Sequence, residues 1–290
     1  MKKTPSYETL ECPPVSQVSE IIRLALAEDL GPGDLTTDLL IDPEKAGRAE
    51  IVAGQRLVVA GLWVAKEVFR CLDPGIRFFP QFDEGEEVLP GDVLARVEGR
   101  LRPLLTGERT ALNFLMRLCG VATHVRDFLA QAASPGLRIV DTRKTTPGLR
   151  VLEKYAVRTG GGANHRIGLF DGILIKDNHI ASCGSISEAI RRARNSIHHL
   201  LKVEVEVTTL LELEEALIAG ADVVMLDNMD DAKMIKAVAM TNGRALLEAS
   251  GGMTAERVRD LARSGINIVS VGALTHGAKC VDISMDIMAA

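Results

Sequence analysis

Aromatic side chains are scarce: one Trp, two Tyr and seven Phe make up 3% of 290 residues. Base-stacking platforms for single-stranded nucleic acid need such rings, so that class is disfavoured. Surplus positive charge is missing too. The formal net charge is −5, which argues against a general nucleic-acid binder. No C-x-x-C pair occurs among Cys12, Cys71, Cys119, Cys183 and Cys280, so neither a zinc site nor a redox motif is suggested. Scattered, odd-numbered thiols fit a reducing cytoplasm. No stretch approaches the ~20 apolar residues of a membrane span. Lys2 and Lys3 in MKKTPSYETLECPPVSQ are followed by no apolar run, so no secretory signal is expected.

Hydrophobic residues make up 47% of the chain, ample for one large domain or two modest ones built from Ala, Val, Leu and Ile. Residues 16–30 carry helical apolar spacing and stop at Gly31-Pro32. Residues 46–60 and 76–98 read as strands and turns. Past the Pro90-Gly91 turn, Val93, Ala95 and Val97 alternate as in a strand. Residues 106–131 read as a long helix.

From about residue 137 the rhythm changes. LRIVDT, DGILIKD, LKVEVEV, DVVMLDN, ALLEAS and INIVSVG alternate with helical segments. Ser185 with Glu188, and Thr209 with Glu212, have capping-box spacing, and Gly220 is a plausible helix stop. Strand-helix alternation with nearly continuous apolar strands implies a parallel sheet. About six units favour an α/β barrel over an open sheet.

Polar residues fall where each strand ends. Arg143 and Lys144 follow the first run, and Lys176 ends the second. Glu206, Asp227, Ser250 and Gly272 end the next four. In α/β barrels that edge is where active sites are built. The plainer alternative is that strands simply end in polar residues. It is weaker for a set that places cations on two units and carboxylates on the next two.

Within residues 141–179, Arg143, Lys144, His165, Arg166 and Lys176 concentrate positive charge against the global sign. Such a cluster suggests a pocket for a strongly anionic small molecule. A guanidinium grips a carboxylate or phosphate with paired hydrogen bonds, and Arg109 is a further candidate. Glu206 and Asp227 on adjacent strands could hold magnesium, or could serve ion bridges to nearby lysines. Glu204 shares the face of Glu206 and could replace it. Gly251 and Gly252 precede a helix capped by Thr254, a weak phosphate-site signal. SVGALTHGA repeats the idea, with His276 as a further donor or a cap.

Several segments together resemble a known family. They are EDLGPGDLTTD, TGERTALNFLMRLCGVAT, the long motif from Asp141 to Ile180, VEVEV, MLDNM and EASGG. In this order they are similar to quinolinate phosphoribosyltransferases. The resemblance implies a small N-terminal α/β sandwich, hammerhead-like, over residues 1–117. An incomplete α/β (TIM-like) barrel over 118–290 would follow, with the C-terminal tail able to return to the first domain.

It implies a dimer in which Arg109 reaches the neighbour's site. Arg143, His165, Arg166 and Lys176 would surround the pyridine dicarboxylate. Lys144, Glu206 and Asp227 would serve phosphoribosyl diphosphate and its magnesium, as the catalytic set. Ser250, Gly251 and Gly272 would lie along the phosphates, with Thr142, Gly252 and Ser270 completing the substrate-binding set. The expected chemistry is phosphoribosyl transfer to quinolinate with decarboxylation, in NAD biosynthesis.

Three rivals stand beside it. One is a paralogue with another acceptor or a molybdate-associated role. Another is a barrel lyase with Lys176 as a Schiff-base lysine. The third is a carrier module, since FDEGEEVLPGDVLARVEG resembles a biotinyl or lipoyl hairpin; it lacks a lysine at the turn.

Overall fold

The computed structural model describes residues 12–288. The reading of the N-terminal segment 1–11 as no secretory signal lies outside them. In chain order the first elements are α1 (Val15–Leu30), α2 (Leu35–Leu40), β1 (Ala46–Ala53), β2 (Leu57–Val58) and α3 (Leu62–Leu72). Next come β3 (Arg77–Pro80), β4 (Glu87–Val88), β5 (Val93–Arg100) and α4 (Leu101–Ala132). Then follow β6 (Arg138–Val140), α5 (Arg150–Thr159), β7 (Ile173–Ile175), α6 (Asp177–Cys183), α7 (Ile186–Ser196) and β8 (Val203–Val207). The last are α8 (Leu210–Ile218), β9 (Val223–Asp227), α9 (Asp231–Thr241), β10 (Leu246–Ser250), α10 (Ala255–Leu261), β11 (Ile268–Ser270), α11 (Ala273–His276) and β12 (Ile283–Met288). No helix among the described residues is long and apolar enough to cross a membrane.

The chain divides into two compact units. Among the described residues, one holds 12–126, 145–161 and 275–288; the other holds 127–144 and 162–274. The expected boundary at 117/118 falls inside the unbroken helix α4.

The first unit is built on an antiparallel sheet of order β12-β1-β5-β3. Helix α1 lays Val18, Ile22 and Leu26 inward, a four-residue repeat that places them on one face. Its C-cap, Gly31, takes a positive φ of 48°. Helix α3 is capped at Gly61, where the half-buried Glu84 accepts the backbone N–H of Gly61 (2.7 Å) and Leu62 (2.9 Å). Those are donors that a helix start leaves without intrahelical partners. The segment around Pro90-Gly91 is not a simple hairpin: β4 pairs with β2, while β5 pairs with β1 and β3.

The second unit is a six-stranded parallel sheet of order β6-β11-β10-β9-β8-β7. Its end strands β6 and β7 are not paired to each other among the described residues, so this α/β barrel is incomplete. The free edge of β6 is met by the irregular segment after α5. Ala163 donates to Ile139 O (2.9 Å) and accepts from Asp141 N (3.0 Å).

Most of these strands are buried aliphatic runs, but β8 is not continuous. Val203, Val205 and Val207 are buried, and Glu204 and Glu206 take the opposite face. The helices keep their caps. Thr209 and Glu212 form a reciprocal capping box on α8. On α7 the Ser185 hydroxyl accepts the Glu188 N–H, while the Glu188 carboxylate turns to Arg191 and Arg192.

Candidate active site

The strands of the parallel sheet end where the sequence places its polar residues. Lys176 directly follows β7, Glu206 is penultimate in β8, and Asp227, Ser250 and Ser270 close β9, β10 and β11. The register sets Ser250 opposite Asp227 and Glu206 opposite Met225, so neighbouring strands deliver these side chains to one rim. A cavity of about 560 Å³ opens there. Thr142, Arg143, Lys144, His165, Arg166, Lys176, Glu206, Asp227, Ser250, Gly251, Gly252 and Ser270 all line it.

Arg109 and Gly272 do not line this cavity. Arg109 is exposed on α4, in the other compact unit. Gly272 lies two residues beyond β11. His276, the last residue of α11, is exposed and also lies outside the lining.

Leu174, Met225, Asn228 and Glu248 line the cavity without having been singled out from sequence. Three of them carry a signal that was available. Leu174, Met225 and Glu248 each precede a rim residue by two positions, so strand alternation puts them on the same face, one layer deeper. Asn228 instead turns the chain. Its φ of 53° is left-handed, a region Asn enters more readily than most residues. Its amide Nδ2 donates to Asp227 Oδ2 at 2.8 Å. Gly251 (φ 93°) is required beside it, because a Cβ there would come within 2.1 Å of Asn228 Oδ1.

The cations are held differently from one another. Lys176 Nζ pairs with Glu206 Oε2 at 2.5 Å and is 46% exposed, so it lacks the desolvation of a Schiff-base lysine. Arg166 donates from Nη1 to Gly172 O (2.9 Å), but its Nε is buried with no partner. Burial, then the adjacent Arg143 charge, lowers the Arg166 pKa below its usual value. Two guanidinium groups converging in a half-dry site repel each other, and an anion between them would relieve that strain.

Below the rim lies a buried group of acids. His165 Nε2 is 3.2 Å from Glu204 Oε2 and 3.7 Å from Glu248 Oε2. Burial, then the Glu204 charge, pushes the Glu248 carboxyl up to about 7. Glu204 and Glu206 therefore differ in depth: one meets His165, the other Lys176. For magnesium the donor chemistry favours the rim. Glu206 and Asp227 offer only carboxylate oxygens, the ligand type magnesium takes, whereas the deeper group includes an imidazole.

An α/β barrel that gathers cations and carboxylates at the carboxyl ends of its strands presents an enzyme site for anionic substrates. The particular family follows from comparison with known proteins. The models for the N-terminal and C-terminal domains of quinolinate phosphoribosyl transferase match residues 34–119 and 121–286. The chain belongs to that family, and is thus a phosphoribosyltransferase by class.

A probable nicotinate-nucleotide pyrophosphorylase (carboxylating) of Bacillus subtilis is 44% identical over 93% of this chain and 93% of its own length. The chloroplastic nicotinate-nucleotide pyrophosphorylase (carboxylating) of Arabidopsis thaliana is 39% identical over 98% of this chain and 85% of its own. The crystal structure of NadC from Streptococcus pyogenes superposes with a TM-score of 0.91 at 39% identity, covering 96% of this chain and 98% of that one.

Proposed function

We propose that this chain transfers the phosphoribosyl group of 5-phosphoribosyl 1-diphosphate to quinolinate and releases carbon dioxide. The products are nicotinate mononucleotide and diphosphate, a step of NAD biosynthesis. The observation that carries this reading is the buried, unpartnered Arg166 Nε beside Arg143 in a cavity rimmed by lysines. Quinolinate brings two carboxylates, and the donor brings a monophosphate and a diphosphate. Bringing such anions together in a low-dielectric pocket is prohibitive without fixed cations.

In this account Arg143 and Arg166 grip the carboxylates with Lys176 beside them, and Lys144 lies against phosphate oxygens. Ser250, Gly251, Gly252 and Ser270 line the phosphates, and Thr142 helps hold the loop, its hydroxyl accepting the Lys144 N–H at 3.0 Å. Glu206 and Asp227 would hold the donor's magnesium, Glu206 giving up its pair with Lys176 to do so. When bound, magnesium neutralises the leaving diphosphate.

The pyridine nitrogen attacks the anomeric carbon as the bond to diphosphate breaks, through an oxocarbenium-like state. The bond from C2 to its carboxylate then breaks. Its electron pair stays on C2, stabilised by the adjacent ring cation, and C2 takes up a proton. The protein contributes positioning and electrostatics more than acid–base chemistry.

Turnover with quinolinate and with nicotinate tests the reading. Quinolinate is expected to be consumed with one carbon dioxide per diphosphate, and nicotinate to be inert. Preference for nicotinate would overturn it and favour a paralogous acceptor.

The proposal includes a cytoplasmic location, supported by five free thiols. It also includes a dimer in which Arg109 completes the neighbour's site. The exposed Leu35, Leu39 and Leu40 of the short helix α2 support a covering partner. Mixed Arg109→Ala and Lys144→Ala subunits should regain activity through hybrids; hybrids that form and stay inactive would refute the shared site.

A further inference from the structure

His165 is an unusual member of a ring of cations, because both of its ring nitrogens are engaged by the protein. The backbone N–H of Arg166 donates to Nδ1 at 2.8 Å, so Nδ1 carries a lone pair rather than a proton. Nε2 faces the carboxylates of Glu204 (3.2 Å) and Glu248 (3.7 Å), so it carries the proton. This pattern defines a neutral imidazole, in which one nitrogen accepts and the other donates.

The ring belongs to a segment without regular structure, held by one carboxylate just past β6 and by one of its own. Asp141, fully buried just past β6, accepts the His165 N–H (2.9 Å) and Asn164 Nδ2 (2.6 Å). Asp171 accepts the N–H groups of Ile167 (2.7 Å) and Gly168 (2.8 Å). The Arg166 peptide sits between these anchors and is tied to the His165 ring. Its guanidinium is the group whose buried Nε has no partner.

We propose that Glu204, backed by Glu248, is a positioning residue that acts through His165 to aim Arg166 at the acid substrate. His165 is then a neutral strut between the deep carboxylates and the Arg166 peptide, and adds no charge to the cavity. Glu204 and Glu206, two residues apart on one face of β8, so have separate tasks. The substrate part of this inference rests on the quinolinate reading; the strut itself does not.

Nitrogen-15 NMR of histidine-labelled protein tests the strut, with the His165 signals assigned from a His165→Asn variant. The expected signature is a pyrrole-type Nε2 and a pyridine-type Nδ1, in one tautomer, with and without quinolinate. An imidazolium signature or the opposite tautomer would overturn it.

Calorimetry tests the aim. Glu204→Leu should weaken quinolinate binding about tenfold or more, because a buried Nε2–H loses its acceptor. It should leave binding of phosphoribosyl diphosphate with magnesium unchanged. Glu204→Gln keeps an acceptor oxygen and should stay within about threefold of the parent. Equal loss for both substrates, or none for quinolinate, would refute the positioning role. A parent protein with the expected tautomer that binds no quinolinate would count against the substrate reading alone.

Discussion

The two units use charge in opposite ways. In the antiparallel unit each salt-bridged arginine meets a carboxylate of the chain itself. Arg96 meets Glu50, Arg100 meets Asp73, Arg77 and Arg48 share Glu98, and Arg117 meets the fully buried Glu153. At the strand ends of the parallel unit, Arg166 sits beside Arg143 and keeps an unanswered buried N–H. Paired charge fixes a fold; converging like charge costs stability and is justified by a ligand. The difference teaches where to look for function: where two guanidinium groups converge and a buried donor has no acceptor.

The contrast can be broken most sharply at Arg117. Its guanidinium donates to Glu153 Oε1 from Nη2 (2.6 Å) and Nε (2.9 Å), and to Ala278 O (2.7 Å). Arg117→Ala leaves a buried carboxylate without the Arg117 charge, held only by the N–H and hydroxyl of Thr146. It should cost about 3–5 kcal/mol in chemical denaturation. A loss below about 1 kcal/mol, the range of exposed pairs, would erase the distinction.

Arg166→Ala and Arg143→Ala should do the reverse. Each should remove about 2–5 kcal/mol of substrate interaction. That is a fall in kcat/KM of roughly two or more orders of magnitude. The thermal midpoint should fall less than in Arg117→Ala, because the like-charge contact relieved offsets the attractions lost. Near-normal kcat/KM in either variant would remove that arginine from the site.

Surface pairs should matter least. Arg96→Ala breaks an ion pair to Glu50 on an arginine 57% exposed, and should cost under about 1 kcal/mol.

Glu188 sharpens the comparison further, since it is a closed charge group in the parallel unit on helix α7. Hydrogen bonds from Arg191 and Arg192 hold its carboxyl down at about 2, well below the usual carboxylate range. A folded pKa below the unfolded one contributes stability above the unfolded value. That stability is lost as pH falls through the folded one. The thermal midpoint should therefore drop between about pH 5 and 2, and Glu188→Gln should flatten part of that slope. An unchanged slope in the variant would show that the arrangement contributes nothing.

Much of this organisation is legible in the sequence, because periodicity is local. Helix α1 was expected over 16–30 and spans Val15–Leu30. Thr209 and Glu212 cap α8 as their spacing predicts. The rim residues Lys176, Glu206, Asp227 and Ser250 stand at strand ends because alternation and strand length put them there.

What escaped depends on depth and on irregular backbone. A period of two places Glu204 and Glu206 on one face and cannot say that the first is buried against His165. Glu248 was reachable by the same period from Ser250. Asn228 was not, since its role comes from a left-handed turn against Gly251. His165 reads as one more cation in a basic run, and only its hydrogen bonds point to the neutral ring proposed above. Arg109 lies on a helix of the other unit, and no strand-end argument reaches it.

The central claim is that the strand-end cations await a dicarboxylate. A crystal structure with quinolinate bound tests it most directly. The account predicts one molecule in the cavity, with carboxylate oxygens within hydrogen-bonding distance of Arg166 Nε and the Arg143 guanidinium. Quinolinate seated away from both arginines, or a cavity left empty at saturating concentration, would contradict it.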